Sequence, residues 1–389
     1  MTQPEPGDKK IRVGVIFGGR SGEHEVSLMS ARSVIQALDP EKYAVTLIGI
    51  SKDGRWLTGD VTAALESGRP AAARPATLLP DPQASGLMAL NGAATGPTGL
   101  SRVTELDVVF PVLHGTYGED GAMQGLLELA GLPYVGAGVL GSAVGMDKAL
   151  FKAVMVAHGL PVSPWKLALK SEWQARPDGL LDEIEAALTY PLFTKPANLG
   201  SSVGVSKCRD RAELVAGLDE AGRYDRRIVI EQGVPARELE VSVLGNERPE
   251  ASVIGEVRPR RDYYDYVAKY VSDDSELFIP AKIEPELAEQ VRRLAIQAFK
   301  AIDAAGLARV DFLLDKETGR LYISELNTMP GFTQISMYAK LWQASGLSYA
   351  ALLDRLITLA LERHQTRSEL ETIYRPGSPT NEAQEDDGA

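Results

Sequence analysis

Residues 11–17, IRVGVIF, form a near-continuous apolar run. Such a strand must be covered on both faces, which is the situation inside a parallel sheet flanked by helices. The next residues fit that setting. GGRSGEHEVS leads into a helix that carries Leu28, Ala31, Val34, Ile35 and Leu38 on one face. Asp39 and Pro40 end it, and residues 43–50 read as a second strand. Strand, helix and strand in this order predict a βαβ unit, so the N-terminal part is expected to be a doubly wound α/β layer. Residues 107–113, DVVFPVL, add another buried strand. HGTYGEDGAMQG then opens a helix running through Leu129, and residues 133–136 suggest a short strand. A single helix is expected over 146–158. Residues 59–102, rich in Ala, Gly and Pro, read as an insertion of short strands and turns.

At 389 residues the chain is too long for one ordinary core. The expected division is an α/β domain over 1–148, a central domain over 149–237 and a C-terminal domain over 238–366, followed by a disordered tail over 367–389. In the central domain, strands at 191–195 and 203–207 flank a glycine–serine loop, with a helix at 211–221 and a strand at 227–231. The C-terminal domain has a strand at 239–244, helices at 285–304 and 349–364, and a hairpin. A net charge of −12 argues against a nucleic-acid partner. The one cysteine, Cys208, excludes an internal disulfide and a cysteine zinc cluster, and reads as an inert strand-end residue. The longest uncharged run, 129–146, is broken by Pro133 and five glycines, which excludes a membrane span. MTQPEPGDKK has no apolar signal-peptide core, so a cytoplasmic protein is expected.

The hairpin carries the strongest chemical signal. Its strands are 310–314 and 321–326, joined by the turn DKETG. Asp311 lies on the first strand. Glu325 and Asn327 are two apart at the end of the second, so they share a face. Three oxygen ligands suit a hard cation such as Mg²⁺, and the alternative is a solvated hairpin with charged edges. Arg309 adds a cation, and Gly331 allows close approach of a backbone N–H. PANLGSSVGVSK, with Gly200, Ser201, Ser202 and Gly204, can fold its amides over phosphate, although no GK[ST] follows and by itself it reads as a flexible hairpin turn. Lys148 and Lys195 supply charge nearby. Glu231, ahead of Gln232 and Val234, can accept from an adenine amine, and Glu238 from ribose hydroxyls. Glu23 can hold a ligand ammonium or merely complement a helix dipole. His24 is expected at the surface. His114 is placed in the site, with a satisfied structural histidine as the alternative. DYYDYVAKY, with Lys269 and Tyr270, reads as a lid or a partner-binding loop.

Taken together, GGRSGEHEVS, LHGTYGEDGAMQG, GLPYVGAG, MDK, TKPANLGSSVGVSK, YDYVAKY, RVDF and ELNTMPGFTQIS resemble the D-alanine–D-alanine ligase family of the ATP-grasp superfamily. They run in family order from Ile11 to about Glu362. The resemblance implies a three-domain ATP-grasp architecture, with ATP held between the central and C-terminal α+β domains. It implies that Glu23, with His114, binds the first D-alanine, and that Ser201 and Tyr270 join Glu23 in a hydrogen-bonded set. ATP contacts fall on Lys148, Lys195, Ser201, Ser202, Glu231, Gln232, Val234, Glu238 and Lys269. Asp311, Glu325 and Asn327 match the ligands of two Mg²⁺ ions, with Mn²⁺ as a substitute. Arg309 and the Gly331 N–H match oxyanion donors, and Ser336 matches the contact to the second substrate's carboxylate. The implied assembly is a homodimer. Gln232 and Val267 depart from the pattern, where some members have lysine and glutamate. Three alternatives stand beside this reading: another ATP-grasp carboxylate enzyme, a ligase forming a D-alanine–D-lactate ester, and a non-catalytic nucleotide-binding regulator.

Overall fold

A computed structural model describes residues 9–62, 65, 73–91, 99–259 and 275–371. The first sheet has seven strands in the order β6-β5-β4-β3-β2-β1-β7. Its parallel part is built from β1 (Ile11–Gly18), β2 (Tyr43–Ile50) and β7 (Val108–Val112). Helix α1 (His24–Ala37) follows β1, as the βαβ pattern requires. Arg12 fixes the register of β1 beside β7. Its backbone N–H donates to Asp107 at 2.7 Å and its Nε to the same carboxylate at 3.0 Å. Where described, the stretch read as an insertion adds antiparallel strands to the free edge. These are β3 (Trp56–Gly59), β4 (Ala73–Leu78), β5 (Leu87–Asn91) and β6 (Gly99–Thr104).

After α2 (Ala122–Leu129), the helix expected over 146–158 is two helices, α3 (Val139–Met146) and α4 (Lys148–Ala157). The break falls at Asp147, whose extended backbone, with ψ of 104°, cannot continue a helix. Its carboxylate instead caps α4, accepting from the N–H groups of Ala149 at 3.1 Å and Leu150 at 2.9 Å.

The second sheet, ordered β10-β9-β11-β8, is antiparallel throughout. Strand β8 (Trp165–Leu169) and the helices α5 (Lys170–Ala175) and α6 (Pro177–Ala187) fall in a stretch the sequence patterns left unassigned. Strands β9 (Leu192–Pro196), β10 (Ser206–Cys208) and β11 (Arg227–Gln232), with helix α7 (Arg211–Tyr224), complete it. The strand expected from residue 203 starts only at Ser206. Gly204 has φ of 71°, which no strand accommodates, and just before the expected start Ser201 and Ser202 have φ of 52° and 57°. Cys208 ends β10 fully buried, and burial pushes its thiol pKa up.

The third sheet, β14-β13-β12-β15-β16, is also antiparallel. It comprises β12 (Ala236–Gly245), β13 (Glu250–Pro259), β14 (Ser275–Phe278), β15 (Gly306–Asp315) and β16 (Leu321–Asn327). Helices α8 (Pro285–Ala301), α9 (Met337–Ala344) and α10 (Tyr349–Ser368) surround it. One hydrophobic core runs from Val13, Val15 and Val112 of the first sheet through Phe332 to Leu352, Leu353 and Leu356 of α10. The middle sheet has its own core around Leu192, Leu218 and Ile230. No single helix among the described residues is long and apolar enough to cross a membrane. The expected lid, with Lys269 and Tyr270, and the tail beyond residue 371 lie outside the described residues.

Gly217 of α7 faces the middle sheet so closely that a Cβ there would lie 2.5 Å from Thr194 Oγ1 and 2.8 Å from Cys208 Sγ. Alanine would favour the helix by about 1 kcal/mol. Overpacking against two short, buried side chains costs about 1–3 kcal/mol. Gly217→Ala should therefore lower stability by about 1 kcal/mol net, read from urea denaturation. A more stable variant would show that helix and sheet have room to separate.

Candidate active site

Four segments from the three layers converge. The first is the turn after β1. Gly18 and Gly19, with φ of 92° and 101°, fold the chain back onto α1. This buries His24, whose Nδ1 lies 2.8 Å from the Gly19 carbonyl, and corrects its expected surface position. Glu23 is 8 % exposed. Its backbone N–H donates to Ser21 Oγ at 3.1 Å, and that hydroxyl donates to the His114 carbonyl at 2.9 Å. A Cβ on Gly115 would lie 2.5 Å from Glu23 Oε2, and one on Gly200 would lie 2.6 Å from it. The two glycines are what allow the carboxylate to sit between these loops.

The second segment is the glycine–serine loop between β9 and β10. Ser201 Oγ donates to Glu23 Oε1 across 178 residues of sequence. A left-handed conformation costs a non-glycine residue about 1–2 kcal/mol, and here Ser201 and Ser202 both adopt it. The surrounding contacts hold this strain, a pattern that concentrates at functional sites.

The third segment holds the lysines. Lys148 opens α4, and its Nζ donates to the Leu199 carbonyl at 2.6 Å, at the base of the loop. Lys195 Nζ donates to Glu231 Oε2 at 2.7 Å. Lys152 Nζ donates to Glu231 Oε1 at 2.8 Å, and Ser163 Oγ donates to the same oxygen. Burial pushes the Glu231 pKa up, but Lys152 and Lys195 outweigh it and hold the group well below the usual carboxylate range. The Glu231 carboxylate thus accepts from two ammonium groups and one hydroxyl. Gln232 uses its Oε1 to accept from the Thr189 N–H at 3.0 Å. Val234 precedes β12 and Glu238 lies within it, both half-buried.

The fourth segment is the hairpin and the loop after it. Asp311 and Glu325 are directly opposed across β15 and β16, and Arg309 faces Asn327. Arg309 grips Asp311 with two bonds of 2.7 Å and ion-pairs with Glu240 at 2.9 Å. Asn327 Nδ2 donates to Asp311 at 3.2 Å and Glu325 at 3.4 Å. Burial raises the Asp311 pKa to about 7; Arg309 opposes the shift, while Glu240 and Glu325 add to it. Two carboxylates and an amide are hard oxygen donors, and the set fits a divalent cation of the Mg²⁺ type. No cluster of three His, Cys, Asp or Glu ligands occurs among the described residues. Ser336 Oγ accepts from the Thr333 N–H at 3.0 Å and lies 3.4 Å from where a Gly331 Cβ would be.

His114 is buried with both ring nitrogens engaged. Nδ1 lies 2.9 Å from the Met329 carbonyl and Nε2 lies 3.0 Å from Ser30 Oγ. Burial pushes its pKa below the ordinary value, against the pull of Glu23 and of the Met329 carbonyl. Its side chain therefore has no free polar atom for a substrate, which corresponds to the satisfied histidine of the alternative reading. Sequence reasoning missed Lys152, Glu119, Glu240 and Ser30. Lys152 was detectable, because it lies one helical turn after Lys148 and so on the same face. Glu119 gave no signal beyond its place in a glycine-rich loop.

The chain is similar to known proteins over most of its length. Residues 12–137 match the family described as D-ala D-ala ligase N-terminus, and residues 154–358 match the D-ala D-ala ligase C-terminus. A D-alanine–D-alanine ligase of Heliobacterium modesticaldum is 50% identical over 368 residues, covering 94% of this chain and 99% of that protein. The structure of the D-alanine-D-alanine ligase from Coxiella burnetii is similar with a TM-score of 0.77 and 38% identity, over 93% of this chain and 97% of that one. The VanG D-Ala:D-Ser ligase from Enterococcus faecalis gives a TM-score of 0.80 and 32% identity, over 90% and 100%.

The Lys152–Glu231 pair is a buried bridge between α4 and the middle sheet, with side chains 1% and 4% exposed. Breaking a buried pair from one side costs about 3–5 kcal/mol. Lys152→Met leaves Glu231 with Lys195 and Ser163, so the loss should fall near about 3 kcal/mol by chemical denaturation. A loss under about 1 kcal/mol would show that Lys195 alone satisfies the carboxylate.

Proposed function

The chain belongs to the D-alanine–D-alanine ligase family, and on that premise we propose that it joins two D-alanines into D-alanyl-D-alanine for peptidoglycan synthesis while cleaving ATP to ADP and phosphate. The observation that carries this reading is the bond from Ser201 to Glu23, which brings the phosphate-type loop of the middle layer onto a buried carboxylate of the first. A free carboxylate resists attack by an amine. The γ-phosphoryl group therefore passes first to a carboxylate oxygen of one D-alanine, giving an acyl phosphate and ADP. The amine of the second D-alanine then attacks the acyl carbon and loses a proton, and phosphate leaves.

In this reading Glu23 pairs with the first substrate's ammonium, and ATP lies between the second and third layers. Lys148 and Lys195 hold its phosphates, with Glu231 orienting Lys195. Ser202, Gln232, Val234 and Glu238 flank the nucleotide, and Lys269 and Tyr270 act from the lid. Asp311, Glu325 and Asn327 would hold Mg²⁺ or Mn²⁺, which spreads charge on the transferring phosphoryl group. Arg309 and the Gly331 N–H stabilise the oxyanion, and Ser336 meets the second carboxylate. The three domains are 1–148, 149–237 and 238–366. A homodimer in the cytoplasm belongs to the same reading, and light scattering tests the assembly.

The direct test is phosphate release with ATP, Mg²⁺ and D-alanine, with L-alanine, D-serine and D-lactate in parallel and products resolved by mass. D-alanyl-D-alanine should dominate. Asp311→Ala should lose activity by two or more orders of magnitude, because charge stabilisation of this kind is worth several kcal/mol, on the order of 3. Near-native turnover at saturating Mg²⁺ would remove Asp311 from the metal site. Glu23→Gln keeps the shape but loses the charge, so the KM for the first D-alanine should rise while ATP affinity stays within about twofold. If ATP binding alone weakens, Glu23 lies outside the amino-acid subsite.

A further inference from the structure

We propose that Glu119, His114 and Ser30 are positioning residues that hold the loop after β16 so that the Gly331 N–H points at the reacting centre. The catalytic use of that N–H rests on the function proposed above; the grip itself does not. Both polar atoms of Met329 are taken by side chains of the first layer. Its N–H donates to Glu119 Oε2 at 3.0 Å, and its carbonyl accepts from His114 Nδ1 at 2.9 Å. Three residues on, the Phe332 N–H donates to Ser30 Oγ at 3.2 Å, and the Phe332 carbonyl accepts from Tyr349 Oη at 2.8 Å. Pro330 and Gly331 lie between these anchors. Among the described residues, nothing accepts from the Gly331 N–H.

The chemistry of the clamp is directional. A carbonyl only accepts, so the His114 proton is on Nδ1, and the neutral ring accepts from Ser30 Oγ at Nε2. The Ser30 hydroxyl thus donates to His114 and accepts from Phe332. Glu119 accepts twice, from the Gly115 N–H at 2.9 Å and from the Met329 N–H. Glu119, His114 and Ser30 are 8 %, 3 % and 0 % exposed. Water therefore does not readily replace a lost bond. A glutamine at 119 would turn an NH₂ toward one of two N–H donors and lose that bond, while filling the same space.

The experiment tracks amide hydrogen exchange of residues 328–333 in the free, full-length protein, together with steady-state kinetics normalised to the fraction that binds ATP. In Glu119→Gln, protection at Met329 should fall by about tenfold or more, equivalent to one lost hydrogen bond of about 1.4 kcal/mol. The kcat for dipeptide synthesis should fall about 10- to 100-fold, the range expected for a misplaced group, with the KM for ATP unchanged within about twofold. Ser30→Ala is the milder probe. It should expose the Phe332 amide and lower kcat by a smaller factor, and it carries the test if Glu119→Gln does not fold. Unchanged loop protection in a folded variant overturns the clamp, and a kinetic loss confined to KM overturns its positioning of the Gly331 N–H. A wild-type protein that forms no dipeptide overturns the functional reading instead, while the exchange data still decide whether the clamp exists.

Discussion

Phe332 sits where the beginning and the end of the chain meet. Its ring is fully buried against Phe110 of β7, Tyr338 of α9 and Tyr349 of α10, with centroids 5.7, 5.6 and 5.9 Å away. Burying such a side chain contributes about 1.5–3 kcal/mol, and each aromatic contact adds about 0.5–1.5 kcal/mol. The location matters more than the sum. Phe332 lies five residues past the hairpin that carries Asp311, Glu325 and Asn327. Once its ring is buried, the loop must run along the carboxyl end of the first sheet. Polar bonds from Glu119, His114 and Ser30 then refine a position that apolar burial has already chosen.

The buried carboxylates show how partners decide charge. Glu119, Asp311 and Glu231 are all removed from water, which favours the neutral form. Among the described residues, Glu119 has two backbone donors and no cation, and burial, with Glu23 nearby, carries its pKa to about 8. Asp311 has one guanidinium shared with Glu240 and rises to about 7. Glu231 has two ammonium groups and moves the other way. Similar burial thus gives different outcomes, ordered by the number of cations in contact.

Much of this was legible in the chain. The apolar run at 11–17 and the helix after it specified a parallel sheet, because a strand buried on both faces has few other settings. The alternation of residues 310–314 and 321–326 fixed a hairpin in which Asp311, Glu325 and Asn327 meet. What escaped depends on side chains rather than patterns. The break at Asp147 is a capping event inside an otherwise helical stretch. The delayed start of β10 reflects the left-handed conformation at Gly204, inside the stretch expected to be extended. His24 is buried because two glycines before it reverse the chain, and polarity alone had pointed to the surface. Glu119 acquires its meaning only through Met329, 210 residues away.

Because one hydrophobic core spans the first and third sheets, those two layers form a single mechanical block. The middle sheet encloses its own core, and among the described residues its narrower links to that block include the bridges from α4, a small apolar contact of Ala149 with Ala197 and Val229, and the Ser201–Glu23 bond. A bending load on the molecule would concentrate at these links rather than within either core. Helix α4 packs on the third sheet through Phe151 and Met155, yet it reaches the middle sheet with Lys148 and Lys152. It therefore acts as a torsion bar, with one side packed in the block and the other held to the middle layer by Lys148, Lys152 and the apolar contact of Ala149.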